Sequence, residues 1–260
     1  MKSEPISSYI HFGTCVRFLQ DAEPEWKIFG DGYVLDNINT FLEYLEEFNL
    51  PVTTRVAYEL LEFQEKLSKS DSRENGENFE RILSKDEAFK LRHIMSDIRV
   101  TLDAEANGNL AYIVKDKRID VNKLLSDIPG LMSPNVFISL SEIAQYDFKE
   151  AGKCIAFELP TAAAFHILRG TEAVLKDYYC HIIKRKRIKI MMWGPMVKHL
   201  KERKSKPIPP ASLLNKLDDI RFTYRNPTQH PEKIYDIHEV QDLFGLCVDV
   251  VNRMKYKINK

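Results

Sequence analysis

A chain of 260 residues, 44% hydrophobic and 29% charged, holds enough apolar material for one large globular core or two smaller ones, and too much for a disordered polymer. No apolar run approaches the ~18 residues of a membrane-spanning helix, and the start, MKSEPISSYIHF, has no stretch of signal-peptide length, so a cytoplasmic protein without membrane attachment is expected. The formal charge of zero hides a segregation: residues 181–206 carry ten Lys and Arg against one Glu, whereas residues 1–180 carry 20 basic against 30 acidic side chains.

The N-terminal part, residues 1–135, reads as a mostly helical domain whose role the sequence does not disclose. Residues 36–48 place Ile38, Phe41, Leu42, Leu45 and Phe48 at helical spacing behind Asp36, a good N-cap. Residues 53–67 repeat the pattern, and Pro51 separates the two. Residues 68–78, SKSDSRENGEN, read as a surface loop. Ser84 and Glu87 have capping-box spacing ahead of a helix over 84–104 that carries Phe89, Leu91, Ile94, Ile98 and Leu102. Asn107-Gly108-Asn109 marks a turn, and Leu110–Val114, rich in strand formers, admits a small β element. A short helix over 121–128 stops at Pro129-Gly130.

From residue 139 the periodicity is cleaner and predicts an antiparallel helical bundle over 139–257. Ser141 precedes a run to about residue 158. A long helix over 161–186 follows, with the stripe Phe165, Leu168, Glu172, Leu175, Tyr179 and Ile182. Gly194-Pro195 opens a shorter helix to about residue 203, and the Pro-rich SKPIPP connects it to a helix over 211–225. Asp236 and Glu239 start the last helix, which carries Val240, Leu243, Phe244, Cys247, Val250, Val251 and Met254 inward. The expected fold class is therefore mainly α.

Between the last two helices lies Arg225-Asn226-Pro227-Thr228-Gln229-His230. Pro227 is expected to stop the preceding helix, leaving Arg225 at its C-terminus and His230 in the following loop. As a bare spacing the pair is a coincidence that any chain of this length offers; its place between two well-patterned helices gives it weight. RNA is cleaved without a metal when its 2′-OH attacks the adjacent phosphate, which needs proton transfer and a cation for the developing charge. His suits the first near neutral pH; the Arg fork matches phosphate oxygens. One motif supplies one of each, so a two-fold homodimer that juxtaposes two loops would complete the set. A structural role for both, helix capping by Arg225 and loop packing by His230, is the competing interpretation.

Other candidates surround this pair. Glu172 interrupts an apolar stripe, and either orients Arg225 or His230 by ion pairing or reaches solvent at the rim. Lys184, Arg185, Lys186, Arg187 and Lys189 begin the basic stretch; they read as nucleic-acid contacts or as a solvated helix end. Trp193, Tyr178 and Tyr179 fit the core better than base stacking, and His238 lies close enough to the motif for a secondary proton role. Cys15, Cys154, Cys180 and Cys247 form no CxxC pair and the histidines no HxxxH spacing, so no metal or other cofactor is expected.

The motif RNPTQH, preceded by SLLNKLDDIRFTY and followed by EVQDLFGLCVDVVNRM, resembles the HEPN superfamily signature of Arg-x4-6-His with a polar residue after the Arg. The stretch KEAGKCIAFELPTAAAFHILRGTEAVLKDYY resembles the first helical hairpin of such domains, and the resemblance covers about residues 139–257. It implies a homodimeric helical domain that acts as a metal-independent endoribonuclease of toxin or antiphage-defence type. Arg225 and His230 would be catalytic, Asn226 in support, and RNA and an antitoxin or regulatory protein the partners. Some relatives instead lack catalysis and bind nucleic acid, nucleotide or a partner protein. Toxin relatives with a Tyr two residues after the His differ from this chain, which has Glu232 there and its next tyrosine at Tyr235.

Overall fold

A computed structural model describes residues 4–69, 81–185, 187–230 and 232–258. The chain is mainly α-helical and forms two compact units, residues 1–112 and 113–260. The only β pairing among the described residues is an isolated antiparallel bridge between Lys27 and Ile82. Leu110–Val114 is therefore not a strand: Leu110, Tyr112 and Ile113 are all more than 70% exposed, without a neighbouring strand to take their backbone groups. No helix among the described residues is long and apolar enough to cross a membrane.

The first unit holds α1 (Ile6–Gln20), α2 (Val34–Glu47), α3 (Pro51–Val56), α4 (Tyr58–Lys69) and α5 (Lys85–Ala106). Leu19, Ile28, Ile38, Phe41, Leu60, Leu91 and Ile94 fill its core. The capping box at α5 is complete, with Ser84 accepting from the Glu87 amide and the Glu87 carboxylate accepting from the Ser84 amide. Two local expectations differ. Asp36 lies in the first turn of α2, where its carboxylate accepts from the Gly32 amide, and Tyr33 is the N-cap. Phe89 points to solvent, because the buried stripe of α5 runs through Ala88, Leu91, Ile94, Met95, Ile98 and Leu102. The expected loop over 68–78 begins inside α4 at Ser68 and Lys69; its remainder lies outside the described residues.

The second unit starts earlier than the sequence suggests, at residue 113 rather than 139. Residues 113–138 belong to it because α6 (Val121–Ser126) and the 3₁₀ turns that follow bury Leu124, Ile128, Met132, Val136 and Phe137 in its core. The contact with α7 (Glu142–Ala156) is close: a Cβ on Gly152 would stand 2.3 Å from the Leu124 carbonyl oxygen and 2.6 Å from Ile128 Cδ1. Gly152→Ala is expected to push α6 off α7 and to cost about 1–3 kcal/mol. A urea midpoint equal to that of the parent protein would refute that packing account.

After α7 come α8 (Pro160–Ile182), α9 (Trp193–Lys201), α10 (Ala211–Ile220), a π-helical turn (Arg221–Arg225), α11 (Asn226–Gln229) and α12 (Ile237–Ile258). α7 and α8 form a hairpin. α10 through α11 run antiparallel to α8, since Arg225 meets Glu172 and the Tyr235 amide, further along, meets Thr161. α12 runs parallel to α8, with Lys255 of its last turns reaching Asp177 and the Ser139 carbonyl.

The interior is dry enough to hold thiols and phenols neutral. Burial pushes the Cys247 thiol from its ordinary 9.0 up to about 12, and the Tyr178 phenol from 10.0 up to about 12. In the unfolded chain Cys247 ionises near 9.0, so between that pH and about 12 the unfolded state holds fewer protons than the native one. Native stability is therefore fully present below pH 9 and falls above it, by about 1.4 kcal/mol per pH unit from the thiol alone. Urea unfolding measured from pH 8 to 11 checks this; Cys247→Ala should flatten the decline.

Candidate functional site

The junction that carries Arg225 and His230 is not a broken helix. The sequence suggests that Pro227 ends the preceding element, but the helix passes through it by widening. The Asn226 amide donates to the Arg221 carbonyl, an i to i−5 bond, and Pro227 falls in the first turn of α11. A proline has no N–H to give, so the wider turn accommodates the missing bond and the ring together. Arg225 thus sits on the last residue of the π turn and His230 at the C-cap of α11, its amide bonded to the Asn226 carbonyl at 3.0 Å.

Behind this junction a tyrosine lock fixes the chain. The Thr228 hydroxyl donates to the Tyr224 carbonyl (2.6 Å) and meets the Tyr235 hydroxyl (2.7 Å). Tyr235 also donates to the Tyr224 carbonyl at 3.2 Å. The rings of Tyr224 and Tyr235 stack, and the Lys233 ammonium lies 4.8 and 5.0 Å from their centroids. Burial pushes both phenols up. Burial works against the Lys233 charge too, but the hydrogen bond to Glu239, that carboxylate's charge and the two phenols together outweigh it and hold the ammonium above its usual range. Asp236 accepts from the amides of His238 and Glu239, which holds its carboxyl low and starts α12. The expected capping box there is half formed, because the Glu239 side chain pairs with Lys233.

Arg225 and Glu172 meet. The guanidinium NH2 lies 3.4 Å from Glu172 Oε2, with the side chains 24% and 18% exposed. Arg225 Nε is buried without a partner among the described residues. Asn226 is half-buried, while His230 and His238 are exposed. The basic stretch stays at the other end of α8. Arg187 donates to the carbonyls of Ile183 and Cys180, so it caps the C-terminus of α8. The Ile188 amide donates to the Tyr179 hydroxyl, folding the segment back over that end. At 1.5 Å per residue the end of α8 is roughly 15 Å from Glu172, which Arg225 touches, and roughly 30 Å from Thr161, where the chain following His230 touches α8. Lys184, Arg185 and Lys189 are exposed there, and Lys186 lies outside the described residues. Trp193, Tyr178 and Tyr179 are core residues; the Trp193 indole donates to the Leu217 carbonyl.

One cluster escaped sequence analysis. Asp147 of α7 is fully buried, and α8 closes on it. Arg169 donates to it through Nε and NH2 at 2.6–2.9 Å, and His166 Nδ1 lies 2.9 Å from Oδ1. Both partners are in part exposed, Arg169 to 57% and His166 to 26% of the side chain. Gly170 makes the approach possible, since a Cβ there would stand 3.1 Å from that of Asp147. The signal was present: Asp147 interrupts the apolar stripe of Ala144, Phe148, Ala151 and Ile155, just as Glu172 interrupts that of α8.

These groups share one strip of α8. Ala162, Phe165, Arg169 and Lys176 are exposed along it. His166 borders it on the α7 side, and the Glu172–Arg225 pair borders it on the side of the π turn. Comparisons with protein-family models, with curated proteins and with solved structures give no match.

Proposed function

We propose that the second unit is a HEPN-like metal-independent endoribonuclease, of toxin or antiphage-defence type, acting through Arg225 and His230. The observation that carries the reading is the pairing of Arg225 with Glu172 on a π turn that ends one helical turn before an exposed His230. Two complementary polar groups are thereby mounted on one rigid element rather than on a loop. The Arg225 fork stabilises charge on the phosphate while the 2′-OH attacks. His230 transfers one proton of this step, which needs a second proton-transfer group beside it. Asn226, half-buried beside Arg225, is the supporting polar residue of the site. Lys184, Arg185 and Lys189, at the far end of α8, would contact distant phosphates rather than the scissile one.

The test is incubation of the purified chain with RNA in EDTA, beside the same oligonucleotide with a 2′-deoxy sugar at the cleavage position. Cleavage leaving a 2′,3′-cyclic phosphate, absent on the deoxy substrate, is the expected result. Intact RNA at enzyme excess refutes the reading. A second reading, a non-catalytic module that binds RNA through the same face, is favoured by the exposed His230 ring, which has no orienting side-chain bond among the described residues. Saturable RNA binding without cleavage would select it.

A further inference from the structure

The second unit holds an imidazole better oriented than the one in the motif. His230 sits exposed at a helix end. His166 instead has its Nδ1 2.9 Å from the carboxylate of Asp147, a group wholly removed from water. An ionised carboxylate only accepts, so the Nδ1 that faces it carries a proton, and Nε2 is the nitrogen left to exchange one. A buried carboxylate that fixes tautomer and ring plane is what makes an imidazole an efficient base. Holding two helices together does not by itself explain the arrangement, because Arg169 alone would satisfy both oxygens of Asp147.

The place of the cluster matters as much as its chemistry. His166, Arg169 and Glu172 follow one another at three-residue intervals on the same helix, so His166 and the anchor of Arg225 are about 9 Å apart along its axis. Arg169 stands between them, its side chain 57% exposed although Nε and NH2 are bonded to Asp147. Two arginines and an oriented histidine therefore border one exposed strip, within reach of one phosphodiester and its neighbour.

We propose that His166, held by Asp147, is a catalytic base of the same RNA-cleaving face, with Arg169 as a phosphate contact beside Arg225. This rests on the endoribonuclease reading above. In the step, His166 Nε2 takes the 2′-OH proton as the O2′–P bond forms. The P–O5′ bond breaks, and the departing 5′-oxygen takes a proton from the His230 imidazolium. The products are a 2′,3′-cyclic phosphate and a 5′-hydroxyl, with no change of oxidation state and no co-reactant. One protomer then carries both proton-transfer roles, and dimerisation positions RNA rather than completing the chemistry.

His166→Gln retains a hydrogen-bond donor to Asp147 and is the first variant to measure, with single-turnover cleavage of a short RNA in EDTA. The expected loss is about 100-fold or more in rate, with RNA binding by fluorescence anisotropy unchanged. His166→Ala should regain rate when free imidazole is added, which a purely structural role for His166 would not allow. Cleavage by His166→Gln at the parent rate, while Arg225→Ala is inactive, overturns the inference and leaves the nuclease reading standing. So does a slow His166→Ala that imidazole leaves slow. If the parent chain leaves RNA intact, both fall together.

Discussion

If the proposed endoribonuclease reading holds, His230→Ala is expected to lower metal-independent RNA cleavage by about 100-fold or more with little change in stability, because general acid–base catalysis is worth that much and an exposed C-cap side chain contributes under about 0.5 kcal/mol to folding. Arg225→Ala is expected to lose as much rate, through lost stabilisation of phosphate charge, but at a structural cost. It strands Glu172, which is 18% exposed, without its cation, and should cost about 1–3 kcal/mol. Arg225→Lys separates the two effects: it retains the charge opposite Glu172 and loses the planar fork. Its melting point should recover while its rate does not. Initial rates in EDTA and thermal melts on the same preparations decide the matter. Parent-level cleavage by His230→Ala would remove His230 from the mechanism.

The largest stability effect belongs to Arg169→Ala. It leaves the fully buried Asp147 carboxylate with His166 as its sole partner. Breaking a buried pair from the side that leaves a charge behind costs about 3–5 kcal/mol. Arg169 is 57% exposed, so water can enter where its guanidinium lay, and a loss of about 2–4 kcal/mol is expected. Asp147→Leu should cost less, since Arg169 and His166 can both turn to solvent. The double variant should be more stable than Arg169→Ala alone. Urea unfolding of the three proteins gives the ranking; Arg169→Ala within 0.5 kcal/mol of the parent, roughly the scale of a neutral surface change, would contradict it.

The bundle was legible because its helices are amphipathic and well separated by turn residues. α7, α8, α10 and α12 start within a residue or two of their expected limits, whereas α8 ends four residues early and the helix expected over 211–225 is α10 together with the π turn. The Arg225–Glu172 contact was legible for a related reason: a carboxylate in an apolar stripe demands a partner, and the motif offered one. The same argument applied to Asp147 would have led to Arg169 and His166. What escaped was of two kinds. The domain boundary escaped because α6 and its 3₁₀ turns are too short to show a period, although Leu124, Ile128 and Phe137 are core residues. The path of the chain through Pro227 escaped because a proline breaks an α-helix but not a wider one, and the widening leaves no mark in residue type.

That wider turn has a bearing on how the chain tolerates change in length. A π turn holds one residue more than the α turn it replaces, so it behaves as an insertion absorbed without a loop. Everything from Asn226 onward is phased against α10 by that extra residue. Removing one position between Arg221 and Arg225 would restore ordinary helical winding and rotate His230 by about 100° around the axis. Leu213, Leu217 and Ile220 would remain packed as they are. Substitutions along α10 test the core, whereas the count of residues across this single turn sets the heading of His230.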